Sequence, residues 1–178
     1  MPRWKGGSFL VVGLCVIGMA GCAYPISKEW RQLARKDLAF SAVLQDATPH
    51  VGSIVIWGGV IVSTENDRNG ADVIVLETPL DSSEMPEAAE SSQGRFIARS
   101  SIFLDPAVYA PGRKITVAGE ITGKTARQIG QRDYNYPVIA IKQIYLWPIR
   151  ILLYYSRPHY YWEDGNYYDP WWPHRGLR

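Results

Sequence analysis

Five runs rich in β-branched and aromatic residues, spread between Val51 and Trp147, constrain this chain more than any other feature. The clearest is Lys114 to Gly123. Ile115, Val117, Gly119 and Ile121 share one side, while Thr116, Glu120 and Thr122 share the other, the period of a half-buried strand. Val51 to Ser63 is a longer run, and its internal Gly58-Gly59 pair predicts a bulge, a bend or a close backbone approach. Asn69-Gly70 marks a turn, after which Ala71 to Glu77 returns as a second strand and completes a hairpin. Gly94 to Arg99 is a third strand, with Phe96 and Ala98 on one side and Arg95 and Arg99 on the other. Pro137 to Trp147 is the last.

The connections carry their own signals. Asp81 to Gln93 is polar and reads as a mobile loop, and Gly123 to Tyr136 reads as a second polar loop. Asp105-Pro106 predicts a short helix, with Asp as the cap and Pro at the first helical position, ended by Pro111-Gly112. Five strands with a short helix between the third and fourth follow the order of an OB-fold, whose closure also removes exposed strand edges. The fold expected is mainly β, a small five-stranded OB-like barrel. An open sheet or small sandwich is the rival. Ahead of the barrel, Ser27 predicts the cap of a helix along which Trp30, Leu33, Ala34 and Leu38 recur. A second helical piece is expected over Leu38 to Leu44. These helices pack on the domain, or lie on a membrane with Arg31, Arg35 and Lys36 on the polar side.

The N-terminus has the layout of a secretory leader. Arg3 and Lys5 precede an uncharged apolar run from Phe9 to Met19, well short of the ~20 residues of a spanning helix. Met19-Ala20-Gly21-Cys22 then reads as a lipobox, with cleavage between Gly21 and Cys22 and acylation of the Cys22 thiol. Methionine stands where the pattern favours leucine. Each buried methylene adds about 0.8 kcal/mol of membrane affinity, so several acyl chains hold a protein without a spanning segment. The competing readings are an ordinary cleaved signal and an uncleaved N-terminal anchor. Ala23 and Tyr24 follow the cysteine. The absence of Asp there resembles the outer-membrane sorting class of lipoproteins.

The expected organisation is therefore a leader over 1–21, a tether with short helices over 22–48, the barrel over 49–148 and an irregular aromatic-rich C-terminal tail over 149–178. The chain has 19 basic and 17 acidic residues, and losing Arg3 and Lys5 with the leader leaves 17 of each. So balanced a chain has no field to recruit nucleic acid. Of its two cysteines, Cys15 leaves with the leader, so the mature chain has no thiol pair for a disulfide or a cysteine metal site. Pro158, Pro170 and Pro173 forbid a long regular helix in the tail, whose tyrosines and tryptophans suit a membrane interface, a binding surface or packing on the barrel.

A set of phrases in the barrel is specific in combination. They are Val51-Gly52, Trp57-Gly58-Gly59-Val60-Ile61, Glu77 to Asp81, Gly94-Arg95-Phe96 and Phe103-Leu104-Asp105-Pro106. Tyr109, Gly112-Arg113, Thr116-Val117-Ala118-Gly119, Tyr134-Asn135-Tyr136-Pro137 and Leu146-Trp147 continue the series. In this order, with the lipobox, residues 22 to 150 resemble the Slp family of starvation-inducible outer-membrane lipoproteins. The resemblance implies a lipid-anchored envelope protein of Gram-negative bacteria, associated with starvation and stress. It implies no assigned enzymatic activity and no catalytic residues.

The residues themselves offer little catalytic chemistry. His50, His159 and His174 lack metal-ligand spacing, no cofactor motif is present, and Glu77, Asp81 and Asp105 are carboxylates with nothing to pair them. Trp57, Arg95, Arg99 and Tyr145 are a candidate stacking-and-charge surface for an envelope glycan or protein, set against arginine stems simply covering apolar strands. A lipid-anchored, non-enzymatic envelope protein is the leading expectation, and a binding module for peptidoglycan or another envelope glycan the alternative.

Overall fold

The computed structural model describes residues 24–149. The leader, Cys22 and the aromatic tail beyond Ile149 lie outside them. The described chain is mainly β. Helices α1 (Lys28–Leu33) and α2 (Phe40–Gln45) precede strands β1 (Ile54–Asp67), β2 (Gly70–Thr78), β3 (Gly94–Ser100), β4 (Lys114–Ile129) and β5 (Arg132–Leu146). The strands close in a ring in the order β1-β2-β3-β5-β4. Neighbours are antiparallel except β3 with β5, which run parallel through Ile97↔Val138, Ala98↔Ile139 and Arg99↔Ala140. The OB-like expectation is borne out in strand number, order and closure.

Alternation fills the ring. Val55, Trp57 and Ile61 of β1 meet Ala71, Val73 and Val75 of β2, Phe96 and Ala98 of β3, and Ile115, Val117 and Ile121 of β4 in one core. Helix α2 closes one end. Its Phe40 ring stands edge-on to Trp57 at 5.0 Å and to Phe96 at 6.2 Å, and Val43 is fully buried beside it. The helix expected from Ser27 ends at Leu33, short of Leu38, and the second helical piece expected over Leu38 to Leu44 is α2. The Arg35 amide donates to the Ile54 carbonyl at 2.8 Å, so the chain leaves helical geometry there to join the start of β1.

The other end is closed by the connection from β3 to β4, where a helix was expected. Only one turn forms. Asp105 does cap it, its carboxylate accepting from the Ala107 amide at 2.8 Å, but Pro111 comes too soon for a helix to propagate. Leu104 and Tyr109 from this segment pack on the core. The Asn66 side chain fixes Leu104, donating to its carbonyl at 2.9 Å and accepting from its amide at 3.1 Å.

Two further expectations change. Gly123 to Tyr136 is not a loop but the far half of the β4–β5 hairpin, paired from Gly123↔Val138 to Ile129↔Arg132. Its inner side packs against the outer side of β2 and β3. Tyr136 and Val138 meet Ile74 and Ile97 there, with Val62, Ile129 and Tyr134 at the edge. Arg127 crosses over to Asp72 and to Glu65, the latter at 2.9 Å, and Arg99 grips Asp72 through two bonds of 2.8 and 3.0 Å. Burial acts to raise the Asp72 pKa, but the Arg99 hydrogen bond and charge, with Arg127, outweigh it and hold the carboxyl below its ordinary value.

The segment from Asp81 to Gln93, expected to be mobile, is tied down. Asp81 accepts from the amides of Ser83 and Met85, Thr116 donates to the Glu84 carbonyl at 2.7 Å, and Lys114 donates to the Pro86 carbonyl at 2.7 Å. In β1 the register shift falls between Ile61 and Ser63, not at Gly58-Gly59, which instead mark a close backbone approach.

Candidate functional site

The alternation that builds the core also places one carboxyl inside it. Ala71, Val73 and Val75 point inward along β2, and the next residue in that series is Glu77. It sits at the end of the ring that α2 closes and is 6 % exposed. One carboxyl oxygen accepts the Gln93 amide at 3.3 Å. Burial nevertheless dominates and raises the Glu77 pKa above its ordinary value, with the Gln93 bond pulling weakly the other way.

Glu77 borders a cavity of about 410 Å³ between the α1–α2 linker and the ends of β1 and β2. Leu38, Phe40, Trp57 and Leu80 give it apolar walls, and Arg35 and Lys36 stand at its border. Thr78 also lines it, and its hydroxyl is buried without a hydrogen-bond partner among the described residues. Its volume falls in the range of small-ligand sites. Glu77 could receive a hydroxyl or amine of a ligand. No cluster of three metal-ligating side chains exists among the described residues, and neither Asp81 nor Asp105 pairs with Glu77, since each carboxylate caps its own turn. A single buried carboxyl suits binding better than acid–base catalysis, which needs partners with separated pKa values.

Glu77→Gln should stabilise the fold near neutral pH. A carboxyl whose folded pKa exceeds its unfolded value favours folding while protonated, and that contribution is lost as pH rises through the folded pKa. The amide carries no such charge, so the urea midpoint of the variant should exceed wild type at pH 7 and converge on it near pH 4. An unchanged gap across that range would mean Glu77 is not buried as an acid.

The residues singled out from the sequence do not form one surface. Trp57 is 6 % exposed and lies in the core, wedged between Phe40 and Phe96. Tyr145 lies on the outer side of β5, edge-on to Trp147 at 4.9 Å. Arg95 and Arg99 are on the outer side of β3, and Arg99 is engaged by Asp72. Trp57 therefore faces away from the other three, because β1 turns it inward. Cys22, His159 and His174 lie outside the described residues. Glu77 stands out in the sequence only as an unpaired carboxylate, although its place in the inward series of β2 already puts it inside the ring.

The chain matches the family described as Outer membrane lipoprotein Slp family over residues 19–176. It is 29% identical over 138 residues to outer membrane protein Slp of Escherichia coli, covering 78% of this chain and 71% of that protein. It is 30% identical over 176 residues to an uncharacterized protein of Haemophilus influenzae, covering 96% and 92%. The uncharacterized lipoprotein YeaY of Escherichia coli is 33% identical over 98 residues, 55% of this chain and 50% of its own. No solved structure matches at a significant level. With the match running over most of its length, the chain belongs to the Slp family of outer-membrane lipoproteins.

Proposed function

We propose that the chain is made as a precursor, cut before Cys22 and acylated on that thiol. It then works at the outer membrane as a binding or structural protein of the envelope during starvation or stress. The observation that carries this reading is the reach of the family match, which starts at Met19 and so takes in Met19-Ala20-Gly21-Cys22. Acyl chains would supply the membrane hold, and no helix among the described residues is long and apolar enough to span. A ring filled by side chains, with one lone buried carboxyl, favours binding over catalysis.

Cells fed a labelled fatty-acid analogue provide the test. Wild type should carry label and band with outer membranes on a density gradient. Cys22→Ala should lose all label and leave that band. An unlabelled wild-type protein in the soluble periplasm would overturn the anchor. The cavity at Glu77 favours a second reading, a binding module for an envelope glycan, whose hydroxyls would meet the carboxyl. Purified sacculi should then retain wild type and release Glu77→Gln, a near-isosteric change.

A further inference from the structure

The chain between the proposed anchor and the barrel is very short. Ile26 lies only four residues after Cys22 and is 1 % exposed. Its neighbours are held on the outer side of β5. The Ser27 amide donates to the Gln143 side chain at 3.0 Å, and that side chain donates back to the Pro25 carbonyl at 3.2 Å. The Ile26 amide reaches Glu84 at 3.4 Å, and Glu84 is ion-paired with Arg31 at 2.9 Å. The Arg31 guanidinium in turn lies 3.6 Å from the centre of the Tyr24 ring. Four residues span at most ~14 Å when fully extended. A diacylglycerol on Cys22 has its glycerol at the headgroup boundary, so the point where Ile26 is fixed cannot stand far above the membrane surface.

The outer face around that point is amphipathic. Tyr145 lies two residues along β5 from Gln143, on the same side, and is 36 % exposed; Tyr24 is 43 % exposed. Trp147 completes the group, its indole N–H donating to Thr116 at 2.9 Å, and Thr116 donates on to Glu84, the residue that meets Ile26. Tyrosine and tryptophan with one apolar and one polar end settle at the headgroup level of a bilayer. We infer that the barrel does not swing free on a tether but rests its β5 face, at Tyr24, Tyr145 and Trp147, on the headgroup layer of the leaflet that holds the anchor. The occupant of this face is the lipid surface itself, which would orient the Glu77 cavity at a fixed angle to the membrane. The inference rests on acylation of Cys22.

The test uses the full mature chain, purified with its acyl group and reconstituted into phosphatidylethanolamine–phosphatidylglycerol vesicles. A single cysteine replaces Tyr145, or Gln128 as a control, and carries an NBD fluorophore. Both sites are exposed, so neither change touches the core, and Gln128 pairs with Asp133 near the far tip of the β4–β5 hairpin. With nitroxide-headgroup lipid in the vesicles, the probe at 145 should be quenched at least about twofold more than the probe at 128, as a residue at the interface would be. Equal quenching, with acyl mass present on Cys22, would overturn the face assignment and leave the anchor standing. A probe at 145 that is shielded but unquenched would mean that residues 150–178 or a second copy covers this face, and would also overturn it. A Cys22 without acyl mass would remove the anchor and this inference together.

Discussion

Trp57→Ala should lower the unfolding free energy by about 3–5 kcal/mol, the range for truncating a large aromatic in a packed core. The indole is 6 % exposed and is met edge-on by Phe40 at 5.0 Å and Phe96 at 5.4 Å. These three rings join elements that nothing local connects, since Phe40 is on α2, Trp57 on β1 and Phe96 on β3. Removing the middle ring leaves Phe40 without its nearest aromatic partner and loosens the helix that closes that end of the ring. A domain has only about 5–15 kcal/mol to lose, so the variant should show a much lower urea midpoint and release α2 first. Early amide exchange across Phe40–Gln45, before the strands, would report this. Tyr145→Ala is the contrast, at about 1 kcal/mol or less for an exposed side chain. A Trp57→Ala cost as small as that would mean the ring is not part of the core. Trp57 is both a core ring and a wall of the Glu77 cavity, so loss of a ligand by Trp57→Ala mixes barrel damage with loss of that wall, whereas loss by Glu77→Gln reports the cavity's carboxyl.

Which side Trp57 takes was not legible in the sequence, and the reason is local. From Ile54 to Val62 both faces of β1 are apolar, so the alternation that settles β4 is silent there. β4 was readable because Thr116, Glu120 and Thr122 oppose Ile115, Val117 and Ile121 across the strand. Its continuation was hidden for the opposite reason. Beyond Gly123 the side that packs on the barrel is built from Thr125, Arg127 and Ile129, facing a surface that includes Asp72 and Glu65, so an ion-paired contact looks like a polar loop. The Asp105 cap was legible, but the helix it announced was not, because closing the ring needed Leu104 and Tyr109 rather than helical length. Of the candidate site, Glu77 was present as a register position. That it sits beside a cavity depends on the α1–α2 linker, which meets β1 through the backbone bond from Arg35 to Ile54 and packs Leu38 on the core, contacts that carry no local sequence signal.

Gly59→Ala should be as damaging as any single methyl added to the barrel. An ideal Cβ there would lie 1.9 Å from the Leu76 carbonyl oxygen and 2.8 Å from its carbon, both backbone atoms of β2. Neither can yield alone. Gly59 is paired with Glu77 on one side and Ile115 on the other, so displacing Leu76 breaks the β1–β2 ladder and displacing Gly59 breaks the β1–β4 ladder as well. A φ of +158° adds backbone strain. Gly52→Ala separates the two effects, because at Gly52 φ is +84° and nothing lies within 4 Å of the added methyl. It should cost about 1–2 kcal/mol from backbone conformation alone. Gly59→Ala should cost at least about 3 kcal/mol, in the range reserved for overpacking and strain acting together, with amide protection lost across Gly58–Ile61 and Val75–Thr78. Equal costs at the two glycines would mean that β1 and β2 do not approach this closely. Because Leu76 adjoins Glu77, the same displacement moves the buried carboxyl, and a partly folded Gly59→Ala protein should lose the fall in stability with rising pH that the buried Glu77 imposes, while Gly52→Ala keeps it.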